Sequence, residues 1–372
     1  MKFNVQSKLL LSRLNAVSKV VSSKNAYSIL DNFLMEVNQG RLIVTGSDME
    51  TRLTAYVDIE NVEGEGRFAI DVKRTMNLLK ELPDTALQFT ITDDLKVTIN
   101  YVNGVFDLVA LNADEFPQKK AMNAEAAVNF MMSPKDVADG IQHTIFALGD
   151  DESHPVFMGI YWDIHPDSVT FVASDAHKLV RYRKTEVALG MERSFILPSK
   201  PAQAMAAILD RTSEQPVKII IDDSSATFEM TDFTLSCRFI NGRYPNYNSV
   251  IPVNNPYTVT VDRLALLNAV RRVSVFAPVG GLVHMSIGKE EIQLVAQDLD
   301  HSTQGDETVA CEYDGEPMQM GFKCQNVVEV LSSMTSPTVL IKLLDPARAG
   351  LFLPSEQAAG EDLIILLMPM MV

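Results

Sequence analysis

The 372-residue chain is 47% hydrophobic, with a mean hydropathy of +0.05 and a formal net charge of −16. That balance fits a globular protein with cores to bury, and no apolar run reaches the ~18 residues a membrane helix needs. The start, Met1-Lys2-Phe3-Asn4-Val5-Gln6, lacks the apolar stretch of a signal peptide, and the scattered cysteines Cys237, Cys311 and Cys324 fit free thiols in a reducing cytoplasm.

In chain order, the first element is an amphipathic helix: Leu10, Leu14, Val17 and Val21 recur at helical spacing, opposite Lys8, Ser12, Asn15 and Lys19. A strand then runs into an acidic turn, Leu42-Ile43-Val44-Thr45-Gly46-Ser47-Asp48. A second helix is predicted over Val72–Leu82 with Asp71 as its cap. Alternation in Leu87-Gln88-Phe89-Thr90-Ile91-Thr92 and in Lys96-Val97-Thr98-Ile99 predicts half-exposed antiparallel strands, and Phe116-Pro117 ends the set.

The same order returns twice. Ser133-Pro134-Lys135-Asp136 predicts a capped helix carrying Val137, Ile141, Ile145 and Leu148. The acidic turn Val169-Thr170-Phe171-Val172-Ala173-Ser174-Asp175 follows, then a helix over Ser199–Arg211 with Ser199 as cap, then Tyr244-Pro245. The third set has Asp262 before Leu264, Leu267 and Val270, the turn Ile292-Gln293-Leu294-Val295-Ala296-Gln297-Asp298, a helix over Cys324–Met334, and Met368-Pro369. A period of roughly 125 residues is a domain, not a solenoid unit. The expectation is an α+β chain of three domains, 1–122, 123–252 and 253–372, each with two helices on antiparallel sheets. Three such domains in series can form an arc that closes by symmetry.

The helices hold a large share of the cations: Lys8, Arg13, Lys19, Lys73, Arg74 and Lys80, with Lys24 just beyond the first helix, then Lys135, Lys200, Arg211, Arg263, Arg271 and Arg272. Residues 1–30 carry no acid, whereas Asp93-Asp94, Asp150-Asp151-Glu152, Asp222-Asp223 and Glu290-Glu291 fall in turns. An acidic exterior around a cationic inner face would suit weak, sequence-independent phosphate contact. The single tryptophan, Trp162, comes with no aromatic platform for single strands.

The three-fold repeat, together with Ser174-Asp175-Ala176-His177-Lys178-Leu179, Gly242-Arg243-Tyr244-Pro245-Asn246-Tyr247 and the ending Met368-Pro369-Met370, resembles the bacterial sliding clamp, the beta subunit of DNA polymerase III, over the whole chain. The resemblance implies repeated DNA-clamp domains closing as a head-to-tail homodimeric ring around duplex DNA, with no catalytic residue, cofactor or metal. It implies DNA-facing Lys24, Lys73, Arg74, Lys80, Lys200 and Arg272. A hydrophobic groove would take short peptides from the polymerase alpha subunit, an ATP-dependent clamp loader and other polymerases and repair factors. Its residues would be Ser174, His177, Lys178, Leu179, Pro245, Val250, Leu366, Met368, Pro369 and Met370. The subunit contact would use Phe106 and Leu108 on one side, Val275 and Phe276 on the other. Three features depart from the family pattern: Ser249 and Met371 replace basic residues, and Asp151-Glu152-Ser153-His154 is more acidic than the usual DNA-contacting loop.

An enzyme reading would start from Asp175 with His177, or from Asp298, Asp300 and His301. Yet the first turn reads Asp48-Met49-Glu50, without histidine, so the repeated aspartate reads as a turn cap. A protein scaffold that never meets DNA is the other reading; it differs by needing none of the helix cations.

Overall fold

The computed structural model describes every residue except Ser23, Met371 and Val372, so the departure at Met371 lies outside the described residues. The chain packs as two compact units, Met1–Ala138 with Lys200–Phe239, and Asp139–Ser199 with Ile240–Val372.

The first repeat runs β1 (Lys2–Gln6), α1 (Ser7–Ser18), β2 (Asn32–Asn38), β3 (Arg41–Ser47), β4 (Thr51–Asp58), β5 (Glu60–Glu63), β6 (Gly66–Asp71), α2 (Val72–Glu81), β7 (Ala86–Ile91), β8 (Lys96–Tyr101) and β9 (Gly104–Val109). The second runs β10 (Val128–Met132), α3 (Pro134–Thr144), β11 (Gly159–His165), β12 (Ser168–Ser174), β13 (Lys178–Lys184), β14 (Arg193–Pro198), α4 (Ser199–Ile208), β15 (Val217–Ile221), β16 (Ser225–Glu229) and β17 (Phe233–Arg238). The third runs β18 (Tyr257–Asp262), α5 (Arg263–Ser274), β19 (Leu282–Ile287), β20 (Glu291–Asp298), β21 (Thr303–Tyr313), β22 (Met318–Lys323), α6 (Cys324–Ser333), β23 (Thr338–Leu343), β24 (Gly350–Pro354) and β25 (Glu361–Leu367).

The first unit holds a five-stranded sheet, β5-β1-β7-β8-β9, and an eight-stranded one, β10-β15-β16-β17-β4-β3-β2-β6. The second holds a twelve-stranded sheet, β14-β11-β12-β13-β25-β24-β23-β18-β21-β20-β19-β22. One seam recurs in both units. In the first, β17 of the second repeat adds to β4 of the first, with Leu235 opposite Leu53 and Cys237 opposite Thr51. In the second, β25 adds to β13, with Ile365 opposite Val180 and Leu367 opposite Lys178.

Local chemistry explains the helix boundaries. Asp71, Ser133 and Asp262 accept from the backbone N–H three residues on, at 2.6, 3.0 and 2.7 Å, which satisfies amide groups a helix start leaves open. Ser199 is the first helical residue rather than the cap, because β14 continues to Pro198. Helix α1 stops at Ser18, short of Val21, after burying Leu10, Leu14 and Val17. It lies so close to β3 that a Cβ on Gly46 would fall 2.8 Å from Val17 Cγ1 and 3.0 Å from the Val17 carbonyl oxygen.

The aspartate turns are alike in all three repeats. One carboxylate oxygen of Asp48 accepts from the N–H groups of Glu50 and Thr51, that of Asp175 from His177 and Lys178, and that of Asp298 from Asp300 and His301. These aspartates cap turns, and the reading of them as acid–base groups falls away. The proline marker is only partly a repeat. Pro117 and Pro245 lie well past β9 and β17, whereas Pro369 stands two residues beyond Leu367, the end of β25.

Gly46→Ala is expected to cost about 1–3 kcal/mol through overpacking against backbone that cannot yield. Urea unfolding would measure it, and an unchanged midpoint would mean that α1 can slide away from β3.

Candidate nucleic-acid interface and partner groove

Helix α1 packs beside α2 in the first unit, and α5 beside α6 in the second. Lys73, Arg74 and Lys80 are exposed on α2, whose buried side is Thr75, Met76 and Leu79. Lys24 is exposed beyond the end of α1. No carboxylate lies within ion-pair distance of Lys24, Lys73, Arg74 or Lys80 among the described residues, so their charge is available to a ligand.

Other helix cations are spent inside the fold. Arg13 pairs with Asp232 at 2.6 Å and stacks on Phe233. Lys8 pairs with Asp84, and Arg263 donates to the carbonyls of Ser336 and Leu331. Lys200 pairs with Asp48, and Arg272 holds Glu307 through two nitrogens, which raises its pKa chiefly through those hydrogen bonds. Lys200 and Arg272 therefore offer less net charge than the α2 cations. The acidic loop closes on itself: hydrogen bonds from Ser153 and His154 hold the Asp151 carboxyl at about 2.

Two of the expected groove residues come together in the second unit. Leu179 and Leu366 are buried with Val172, Ile196, Tyr244, Tyr247, Ala349 and Leu351 in one apolar cluster. Tyr161 stacks on Tyr244 at 4.6 Å between centroids, and Tyr247 donates to Asp163 at 2.8 Å. Of the other expected groove residues, Val250, Met368 and Met370 expose 56%, 42% and 38% of their surface, and Pro245 and His177 are also exposed. The tail is strapped down as Met368 N–H donates to the His177 carbonyl and Met370 N–H to that of Gly321, both at 2.8 Å. Exposed, flexible thioethers suit ligands of varied shape.

Two of the expected groove residues are structural. Ser174 donates to the Lys178 carbonyl and accepts from Ala176 N–H. Lys178 is 6% exposed, its ammonium 2.9 Å from Asp175 and 3.0 Å from Glu329 of α6. Burial alone would lower its pKa, but hydrogen bonds to Asp175 and Glu329 outweigh that and leave it raised. Tyr161 and Leu351, by contrast, belong to the groove floor and carry no motif that marks them in sequence.

Phe106 and Leu108 are half-buried on one face of β9, with Tyr101 stacked on Phe106 at 5.9 Å. Val275 and Phe276 are exposed past the end of α5. Phe276 lies against β21, where a Cβ on Gly305 would come within 2.7 Å of its ring.

Comparison with known proteins decides the family. Models of the DNA polymerase III beta subunit match in order: the N-terminal domain over residues 1–120, the central domain over 131–246 and the C-terminal domain over 248–371. The chain belongs to the DNA polymerase III beta subunit family. It is 27% identical over 351 residues to the beta sliding clamp of Synechococcus elongatus, covering 92% of each, and 25% identical to that of Pseudomonas putida over the full length of both. Its fold matches the Thermotoga maritima beta subunit with a TM-score of 0.90 at 24% identity, over 100% of this chain and 99% of that one. It matches the Pseudomonas aeruginosa sliding clamp bound to griselimycin with a TM-score of 0.92 at 22% identity, over all of both chains.

As a member of the beta subunit family, the chain is a DNA sliding clamp of three clamp domains, and non-catalytic. Lys178→Met, which strands two partly buried carboxylates, is expected to cost about 3 kcal/mol. Because the folded pKa of Lys178 is raised, its contribution is complete below the unfolded value of ~10.4 and is lost as pH rises through the folded one. The stability gap between wild type and Lys178→Met, followed by urea unfolding, should therefore hold from pH 7 to 9 and narrow above it; a gap that widens would contradict the pairing.

Proposed function

We propose that two copies of this chain join head to tail, β9 of each pairing with β21 of the other, and enclose duplex DNA as a processivity factor. One observation carries this reading: the seam that joins successive repeats inside the chain leaves one unmatched strand at each end of the series. At the inner seams the added strand is covered, with Leu235 and Ile365 at 0% exposure. Along the sheet pairings, Phe106 is the counterpart of Leu235 and Ile365, and Leu108 that of Cys237 and Leu367. Yet β9 bonds only β8, so both lack a cover. At the other end β21 bonds β20 along 303–310 and turns to β18 only at Cys311–Tyr313, which leaves its early edge open among the described residues. An open apolar strand edge is an invitation to another strand.

Copying the inner register outward sets Phe106 opposite Gly305 and Leu108 opposite Thr303 of the second copy. Phe276 beside Gly305 then meets Phe106. The repetition also gives Lys73 a second role. It stands where Lys200 stands at the start of α4, and Lys200 binds Asp48. Lys73 would thus approach Asp298 of the second copy while α2 offers Arg74 and Lys80 to DNA.

In this arrangement persistence on DNA comes from enclosure, and contacts stay weak enough to slide. The unpaired cations near α1 and α2 attract phosphates without reading bases. The groove binds peptides of the polymerase, of an ATP-driven loader and of repair factors, so a released polymerase is recaptured at high effective concentration. The work is done in the cytoplasm; among the described residues no helix is long and apolar enough to cross a membrane.

The register is testable directly. A Leu108→Cys, Thr303→Cys variant is expected to form a disulfide-linked dimer under mild oxidation, read on a non-reducing gel, while a Val105→Cys, Thr303→Cys control stays unlinked. Equal linking of the two, or none in the first, would contradict the strand pairing. Phe106→Ala should weaken the dimer at least tenfold by sedimentation.

A further inference from the structure

The seam between the first and second repeats holds a cavity of about 160 Å³ within the first unit, with a lining that includes Arg52, Pro117, Lys119, Thr227, Ser236 and Glu50. It is the counterpart, one repeat earlier, of the apolar peptide groove. Strand pairing gives the correspondence: Arg52 bonds opposite Ser47 as Leu179 does opposite Ser174, and Thr227 and Ser236 fall where Leu351 and Leu366 fall. Lys119 stands two residues past Pro117, as Tyr247 does past Pro245. The same backbone frame has exchanged an apolar floor for two cations and two hydroxyls.

These groups are organised, and they lack a counter-ion. The Lys119 ammonium donates to Thr227 Oγ1 at 3.1 Å, and Thr227 Oγ1 lies 3.1 Å from Ser236 Oγ. The Arg52 guanidinium donates to the Pro117 carbonyl and sits over the Phe116 ring, 5.5 Å from its centroid. No carboxylate lies within ion-pair distance of Arg52 or Lys119 among the described residues. Desolvation lowers the pKa of both; Glu36 offsets it in part for Arg52, as Glu229 does for Lys119, while the charge of Arg52 lowers Lys119 further. An exposed lysine and a half-buried arginine that line one cavity with hydroxyl donors form a receptor for an oxyanion. Glu50 on the wall, 3.5 Å from Arg238, disfavours a dianion more than a monoanion.

We propose that this cavity is a second docking site, which takes the carboxylate of an acidic side chain from a partner peptide through Arg52, Lys119 and the Thr227–Ser236 hydroxyls. The site stands on its own geometry and does not depend on occupancy of the apolar groove. It would let the clamp hold an acidic segment beside a partner whose apolar motif is bound elsewhere.

The test uses the full chain and an acetylated, fluorescent tetraglutamate peptide, followed by anisotropy at low salt, with tetraglutamine as control. The expected result is saturable binding of tetraglutamate alone, weakened at least tenfold by Lys119→Gln and by Arg52→Met, and unaffected by Lys2→Gln. Lys119 bonds only a hydroxyl, so Lys119→Gln keeps the test valid if Arg52→Met unfolds. Equal binding of the two peptides, no saturation, or unchanged affinity in Lys119→Gln would overturn the proposal. Displacement of the peptide by inorganic phosphate at lower concentration than by acetate would overturn the carboxylate assignment.

Discussion

Every part of this structure depends on how a strand edge is satisfied. A sheet strand with a free side presents backbone donors and acceptors that need partners, and leaves the side chains beside them half covered. Within the chain the need is met by the next repeat: β4 receives β17, and β13 receives β25. Each seam is antiparallel, and each joins strands of two successive repeats into one sheet, of eight strands in the first unit and twelve in the second. Among the described residues the counterparts of these seam strands at the two ends of the series, β9 and early β21, lack such a partner, and in the proposed dimer each supplies the other. Covering the exposed part of half-buried Phe106 or Leu108 would contribute a fraction of the roughly 1.5–3 kcal/mol of full burial, at each of a ring's two contacts. In the proposed ring, dimerisation completes a pattern already used twice inside the monomer.

The seams also separate duties between the three repeats. The same frame is an apolar floor of Leu179, Tyr247, Leu351 and Leu366 in one place and a polar recess of Lys119, Arg52, Thr227 and Ser236 in another. The aspartate turn keeps its backbone bonds throughout, but its ionic partner drifts from Lys200 at Asp48 to Lys178, which Glu329 shares, at Asp175. Keeping the turn while changing what it holds lets one fold carry a cation-bearing helix face and an apolar cluster, and would let it carry the proposed peptide groove and dimer edge. Free charge is rationed accordingly. In a chain of net charge −16 the unpaired cations near α1 and α2 stand out because so many others are matched by carboxylates or carbonyls.

Much of this was legible in the sequence because it rests on short-range chemistry. The helices on Leu10, Leu14 and Val17 and over Val72–Leu82, the caps Asp71 and Ser133, and the three aspartate turns depend on residues within a few positions of one another. Long-range partners were not legible. Lys178 reads as a groove wall until Glu329 is seen to reach it, and Lys200 and Arg272 read as free until Asp48 and Glu307 appear beside them. The open edge of β21 has no apolar signature in Thr303-Gln304-Gly305-Asp306; only its pairing reveals it. Its turn is also longer, since Gln297 pairs with Gln304 where Ser47 pairs with Arg52, which displaces the third repeat from a simple count. Met368-Pro369 kept the beat in sequence but not in structure, since Pro369 stands two residues past β25 whereas Pro117 and Pro245 lie well past β9 and β17.

Enclosure makes a demand that adhesion does not. Protein loaded by an ATP-dependent loader onto nicked circular DNA should remain bound through gel filtration at moderate salt. Cutting the circle once should release it within the time needed to slide to an end. Retention that survives linearisation, or loss from intact circles at the same rate, would contradict a topological hold.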